Sequence, residues 1–188
     1  AQSYSAMLSA DKVKFSTVAA LLADETMSYT SGEGLIEVGP GDIIEAQGFR
    51  YEVAASDAVD AHVETAGGVK LYVQPSITGR YNPLAFGAAM DGVTDDSDIL
   101  NKVIAIGPVI LPAKTIYVEQ PIILPSQANI KGLGQRRSYI KSGVVNGAST
   151  IKLAQTAIQY LYLSGFTLQG NGLTGEDGNG HAIDFIDW

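Results

Sequence analysis

The chain has 188 residues, enough for one ordinary domain or two small ones, and is 46% hydrophobic and 17% charged, a balance that excludes wholesale disorder. Twelve basic residues against twenty acidic ones leave a formal charge of −8, which argues against duplex nucleic acid as a partner. Cysteine is absent, removing disulfide frameworks, thiolate zinc sites and cysteine nucleophiles together, and no run approaches the ~18 uninterrupted apolar residues of a membrane-spanning helix.

Residues 1–14 are polar and aperiodic, with no basic region leading into an apolar core, so no signal peptide is visible. Tyr4, Met7, Leu8 and Val13 stand in this stretch. Apolar side chains in a polar arm suit a segment that orders on docking to a partner, with a frayed terminus as the alternative. Ser16 or Thr17 is placed to cap a short helix carrying Val18, Leu21 and Leu22 on one face. Residues 28–34 read as a loop. Strand-like pieces follow at 35–38, 43–44, 49–53 and 69–73; in the third, Phe49, Tyr51 and Val53 alternate strictly with charged residues. This makes a small α+β module over 15–76, near the lower size limit for an independent core and therefore expected to associate.

Residues 74–83 hold Pro75, Gly79 and Pro83 and mark a boundary, with a second domain expected over 77–188. A helix is expected at about 95–106, capped by Thr94 or Asp95, with Asp95, Asp96 and Asp98 in its first turn, where negative charge suits the helix dipole. Its apolar stripe is Ile99, Leu100, Val103 and Ile104. Beyond Gly107-Pro108 only short strands are read, at 109–111, 115–118, 122–124, 129–131, 150–153, 161–168 and 182–186. Ile130, Ile151, Leu168 and Phe185 lie 21, 17 and 17 residues apart, which is read as one solenoid coil per interval, near the lower end of the roughly 20–45 residue repeats of stacked coils. The expected fold class is thus mainly β: a small α+β module, then a helix-capped stack of parallel coils.

Little chemistry is assignable from residue types. His62 and His181 are the only histidines and neither has a second ligand at helical spacing, so both are read as surface or packing residues, and neither metal nor cofactor is expected. Glu176, Asp177, Asp184 and Asp187 form an acidic cluster; paired carboxylates of this kind serve glycoside hydrolysis, but the favoured reading is a solvated glycine-rich loop and a strand with outward carboxylates. Tyr160 and Tyr162 read as one strand face, either stacking on sugar rings or buried against the next coil. No acid occurs between Glu119 and Glu176, while Lys131, Arg136, Arg137, Lys141 and Lys152 fall inside. That is a solvated basic face, or one that meets an acidic polymer or the acidic N-terminal half of a neighbouring chain.

One segment is more specific. FGAAMDGVTDDS (86–97) resembles the opening of the pectate-lyase-like superfamily of right-handed β-helix proteins, with Met90 where glycine is usual and Ser97 where threonine is usual. VILPAKTIYV (109–118), NIKGLGQ (129–135) and LSGFTLQGNG (163–172) are similar to its successive coils. The resemblance covers about 81–188 and implies a right-handed parallel β-helix. In it Asp91, Thr94, Asp95 and Asp96 are turn and cap residues rather than an acid–base pair, and the catalytic residues lie on later coils. Residues 15–25, 38–54 and 65–73 are similar to modules that precede β-helices in bacteriophage tailspikes and tail fibres. That likeness implies a virion component, read here as the N-terminal portion of a longer chain. It would be homotrimeric, held by phage tail or baseplate proteins through 1–76, with Tyr4, Met7, Leu8 and Val13 as anchoring side chains, and it would carry a β-helix depolymerase for host surface polysaccharide. A secreted bacterial polysaccharide lyase or glycoside hydrolase, and a non-catalytic tail adaptor, are the alternatives.

Overall fold

The computed structural model describes residues 13–144, 149–154 and 160–170, and the backbone of 183–184. The chain divides into two compact units. The first comprises residues 1–74 with 85–87, the second 75–84 with 88–188, so the expected single boundary near 76 is in fact crossed three times.

In the first unit, β1 (Val13–Phe15) leads into α1 (Val18–Leu22). Thr17 caps this helix by accepting a 3.0 Å bond from the Ala20 amide, and Val18 and Leu21 face inward. After β2 (Met27–Ser28) and β3 (Ile36–Glu37), the chain builds β4 (Ile43–Ala46), β5 (Phe49–Val53), β6 (Val63–Glu64) and β7 (Lys70–Val73). Five of these form one sheet in the order β1-β4-β5-β7-β6, with β1 parallel to β4 and the rest antiparallel. Gln47 and Gly48, at φ 53° and 82°, make the two-residue turn between β4 and β5, since such a hairpin needs positive φ at both centres. The core is Val18, Leu21, Ile44, Tyr51, Val53, Leu71 and Val73. Tyr51, fully buried, satisfies its hydroxyl by donating to the Ala85 carbonyl at 2.8 Å. Val13 is therefore a strand residue in register with Ile44, which corrects its assignment to an unstructured arm; Tyr4, Met7 and Leu8 lie outside the described residues.

The second unit repeats a circuit. It opens with a turn of 3-10 helix at Pro83–Phe86, shared with the first unit. Then follow β8 (Asp91–Asp95), α2 (Ser97–Ile106), β9 (Val109–Leu111), β10 (Thr115–Val118), β11 (Ile122–Leu124), β12 (Asn129–Gly132), β13 (Tyr139–Ser142), β14 (Ile151–Leu153), β15 (Tyr162–Ser164), β16 (Thr167–Gln169) and β17 (Ile183–Asp184). They form three sheets, β9-β12-β15, β8-β10-β13-β16 and β11-β14-β17, every pairing parallel. From β9 onward the chain visits the three sheets in fixed rotation, so each strand pairs with the strand one circuit later.

Register places like on like. Val109, Ile130 and Leu163 stack on one sheet, Ile116, Ile140 and Leu168 on the second, and Ile122 and Ile151 on the third. Val109, Ile130, Ile116, Ile140, Ile122 and Ile151 are all fully buried, so the aliphatic columns form the core. The expected spacing was misassigned: Ile130, Ile151 and Leu168 sit on three different sheets, and a true circuit runs from Val109 to Ile130 or from Ile130 to Leu163. The 161–168 piece is two strands, broken by Gly165 at φ 68°.

Glycines set the corner. A Cβ at Gly132 would overlap the Gly165 carbonyl, and Gly165 returns the contact to the Gly132 carbonyl within 2.6 Å. The glycines of NIKG and LSG therefore sit one above the other, where only bare backbone fits.

Candidate functional site

The acidic run at 91–96 is built on backbone amides. Gly92 at φ 78° turns the chain. The Asp91 carboxylate accepts from the amides of Val93 and Thr94 at 2.9 and 2.8 Å and from the Thr94 hydroxyl at 2.8 Å. The Thr94 amide, then the Val93 amide and the Thr94 hydroxyl, hold the Asp91 carboxyl down at about 2. Partial burial works to raise Asp95, but bonds from the Ser97 hydroxyl and from the Glu119 and Ser97 amides outweigh it and leave Asp95 lowered. Both carboxyls with a shifted proton affinity are thus fixed as anions at neutral pH, the wrong state for a general acid.

Asp96 is different in kind. It is 2% exposed, and its two carboxylate oxygens accept from the amides of Ala89 and Met90, each at 2.8 Å. The helix expected at 95–106 begins at Ser97, residues 91–95 are strand, and Asp96 stands at the cap position without a side-chain cap bond. The capping role expected of Thr94 and Asp96 is corrected accordingly: whereas Asp95 accepts from the amide of Ser97, the first helical residue, and from that of Glu119, Thr94 closes the Asp91 turn and Asp96 reaches backward to the turn before β8. That turn needs it. Met90 holds φ 48° with its side chain buried, a left-handed conformation costing an ordinary residue about 1–2 kcal/mol, which is why glycine is usual at this place in the resembling motif.

The outer surface of the four-stranded sheet forms a second polar group. Asp95, Tyr117, Lys141 and Gln169 fall in one cross-strand row. Lys141 Nζ lies 5.2 Å from the Tyr117 ring centroid and donates to the Gly92 carbonyl at 3.0 Å, while the Tyr117 hydroxyl donates to Glu119 at 3.2 Å. Burial first, and then the Glu119 bond, push the Tyr117 hydroxyl upward. Asp95, Tyr117 and Lys141 thus each have a hydrogen-bond partner.

Other expected sites are distributed differently. Glu176, Asp177, Asp187 and His181 lie outside the described residues, and Asp184 is placed only as the β17 backbone in register with Lys152. His62 packs its ring against Tyr72 and Phe86 and accepts from the Val73 amide at 3.0 Å, and no group of acidic and histidine residues fit for a metal ion occurs among the described residues. Tyr162 is 52% exposed on β15 and Tyr160, two residues before the strand, is 82% exposed. Sequence reading missed Ser97 and Asn101, whose side chains serve neighbouring backbone; their i, i+4 spacing was the available signal.

No family model matches the chain. It is 40% identical over 91 residues to the preneck appendage protein of Bacillus phage PZA, and likewise 40% identical over 91 residues to the pre-neck appendage protein of Bacillus phage phi29. Each match takes in 46% of this chain and 11% of the relative, so the chain spans about one tenth of the length of the curated relatives it matches. Over 93% of its length it has the fold of part of tailspike protein 2 from an Escherichia coli O157:H7 bacteriophage, with a TM-score of 0.54, 19% identity and 23% of that chain covered. The enzymatically active domain of the bacteriophage CBA120 tailspike protein 2 gives a TM-score of 0.53 at 17% identity, covering 97% of this chain and 29% of that one. The fold is mainly β and of the kind found in tailspikes. Together the relatives support a phage tail-associated protein.

Proposed function

We propose that the chain belongs to a tailspike-type appendage of a phage, which residues 1–76 attach to the tail and whose second unit is a right-handed, pectate-lyase-like β-helix directed at host surface polysaccharide. The observation that carries the reading is the fixed rotation of parallel strands through three sheets, in a chain 40% identical over 91 residues to phage appendage proteins. Such a stack presents long, flat, ladder-like outer faces, which suit a polymer better than a small molecule.

Within these residues the role is binding and support. The shifted carboxyls are held as anions, so Asp91 and Asp95 are structural in this reading, and cleavage of the polymer belongs to other carboxylates of the appendage. Homotrimeric assembly is part of this reading by likeness to tailspikes, and the small size of the first unit supports association as such. The reading is tested by adsorption. Fab fragments raised against residues 88–170 should block attachment of the encoding phage to its host. Undiminished adsorption at saturating Fab would overturn it.

A further inference from the structure

The outer face of the β9-β12-β15 sheet differs from that of the four-stranded sheet, where Tyr117 and Lys141 each have a hydrogen-bond partner. Ile130 points into the core, so Asn129 and Lys131 point outward, as side chains alternate along a strand. Asn129 is in register with Tyr162, and Lys131 with Ser164. Adjacent strands lie about 4.8 Å apart and alternate residues about 6.6 Å apart, so these four side chains make one continuous patch. Arg80 joins it, donating from Nη1 to Asn129 Oδ1 at 2.9 Å and to the Val109 carbonyl at 3.3 Å. The other guanidinium N–H groups, of five in all, make no bond among the described residues.

Three features point outward from this patch. Tyr162 is half exposed and Tyr160 more so, and neither hydroxyl has a hydrogen-bond partner among the described residues. Tyr160 stands at φ 60°, a conformation that costs a bulky residue energy and that concentrates at functional positions. Finally, neither Lys131 nor Arg80 has a carboxylate partner among the described residues, and Lys131 lies in the stretch between Glu119 and Glu176 where no acid occurs. On the neighbouring face the comparable Tyr117 is covered by Lys141 and bonded to Glu119.

We propose that this face, through Tyr162, Tyr160, Asn129, Lys131 and Arg80, is a contact surface for a glycan carrying carboxylate or phosphate groups. The sugar ring stacks on Tyr162, and the anionic substituent meets Lys131 and the free edge of Arg80. The proposal rests on the polysaccharide reading above and adds to it the location and the charge of the ligand. Aromatic stacking selects a ring, and cations select its charge, so the patch discriminates by both together.

The test is titration calorimetry of the whole 188-residue chain with polygalacturonate, phosphomannan, neutral dextran and polyglutamate at low salt. Binding of polygalacturonate identifies a carboxylate ligand and binding of phosphomannan a phosphate one. Either should exceed dextran and polyglutamate by at least about tenfold and weaken with salt. Tyr162→Ala and Lys131→Ala should each weaken that binding about fivefold or more, with an unchanged melting temperature because both side chains are exposed. Polyglutamate bound as tightly as the anionic glycans would overturn the proposal, since charge alone would then account for binding. Glycan binding that neither variant alters would move the site elsewhere and leave the polysaccharide reading standing. Binding of none of the four polymers would overturn both. A Lys131→Ala variant that dissociates an oligomer, with no effect on glycan, would make the face a contact with the acidic first unit of a second copy and overturn the glycan proposal.

Discussion

Asp96 is a buried carboxyl whose two oxygens each accept from a backbone amide. Replacing it with alanine leaves the Met90 amide buried without a partner and frees a strained turn. Asp96→Ala should therefore lower unfolding free energy by about 2–3 kcal/mol, read by chemical denaturation; a loss below about 0.5 kcal/mol would mean the turn holds itself. Asp91 gives a pH signature. Its carboxyl is lowered to about 2 from 3.8, so the folded state binds its proton more weakly than the unfolded chain does. The stability it contributes is complete above about pH 4 and drains away as pH falls toward 2. Asp91→Asn should be less stable at neutral pH and show a shallower acid limb in melting temperature between pH 4 and 2; a parallel acid limb would contradict the assignment. That a glycine turn and a helix start would call for hydrogen-bonding side chains at Asp91, Asp95 and Asp96 was legible in the sequence. Which amide each serves was not, because the need at Met90 arises from the path of the chain before β8.

Helix α2 packs against β11 and completes its edge. The Asn101 side chain donates to the Pro121 carbonyl at 3.0 Å and accepts from the Ile123 amide at 2.7 Å, while the Ser97 hydroxyl accepts from the amides of Glu119 and Gln120 at 2.9 Å each. A carboxamide and a hydroxyl one helical turn apart thus do what a neighbouring strand would do, and they close an edge that would otherwise invite pairing with another chain. Asn101→Ala should cost about 1–3 kcal/mol and raise self-association in light scattering, whereas Asn101→Gln rescuing neither would still fit, as the longer side chain misplaces the amide. A stable, monodisperse Asn101→Ala variant would contradict the edge-closing role. The strands at 109–111, 115–118 and 122–124 were readable from their apolar ends, each bounded by proline, glycine or polar residues. Strand β13 was not, since only Ile140 of its four residues is an inward aliphatic and Arg136-Arg137 precede it. The circuit length was misread for a related reason: aliphatic residues recur on every sheet, and periodicity alone does not say which sheet each belongs to.

The two units differ in charge as well as fold. The first unit holds 11 acids against 4 bases, whereas the second unit holds the acid-free stretch between Glu119 and Glu176. The small first unit, built on one five-stranded sheet, is the part expected to associate, and sedimentation velocity at micromolar concentration should show the chain as a trimer; a folded monomer would remove that part of the proposal. At this scale the sequence made the mainly β class and the change of style near residue 75 legible, but not the return of residues 85–87 to the first unit, which depends on the Ala85 carbonyl meeting Tyr51 across a long sequence separation. The central claim is that the chain is a component of a phage tail appendage. Its most direct test is immunogold electron microscopy of particles purified from the organism that encodes it, using antibody against the purified chain. Gold confined to tail appendages is the predicted result; particles with intact tails and no label would contradict the claim.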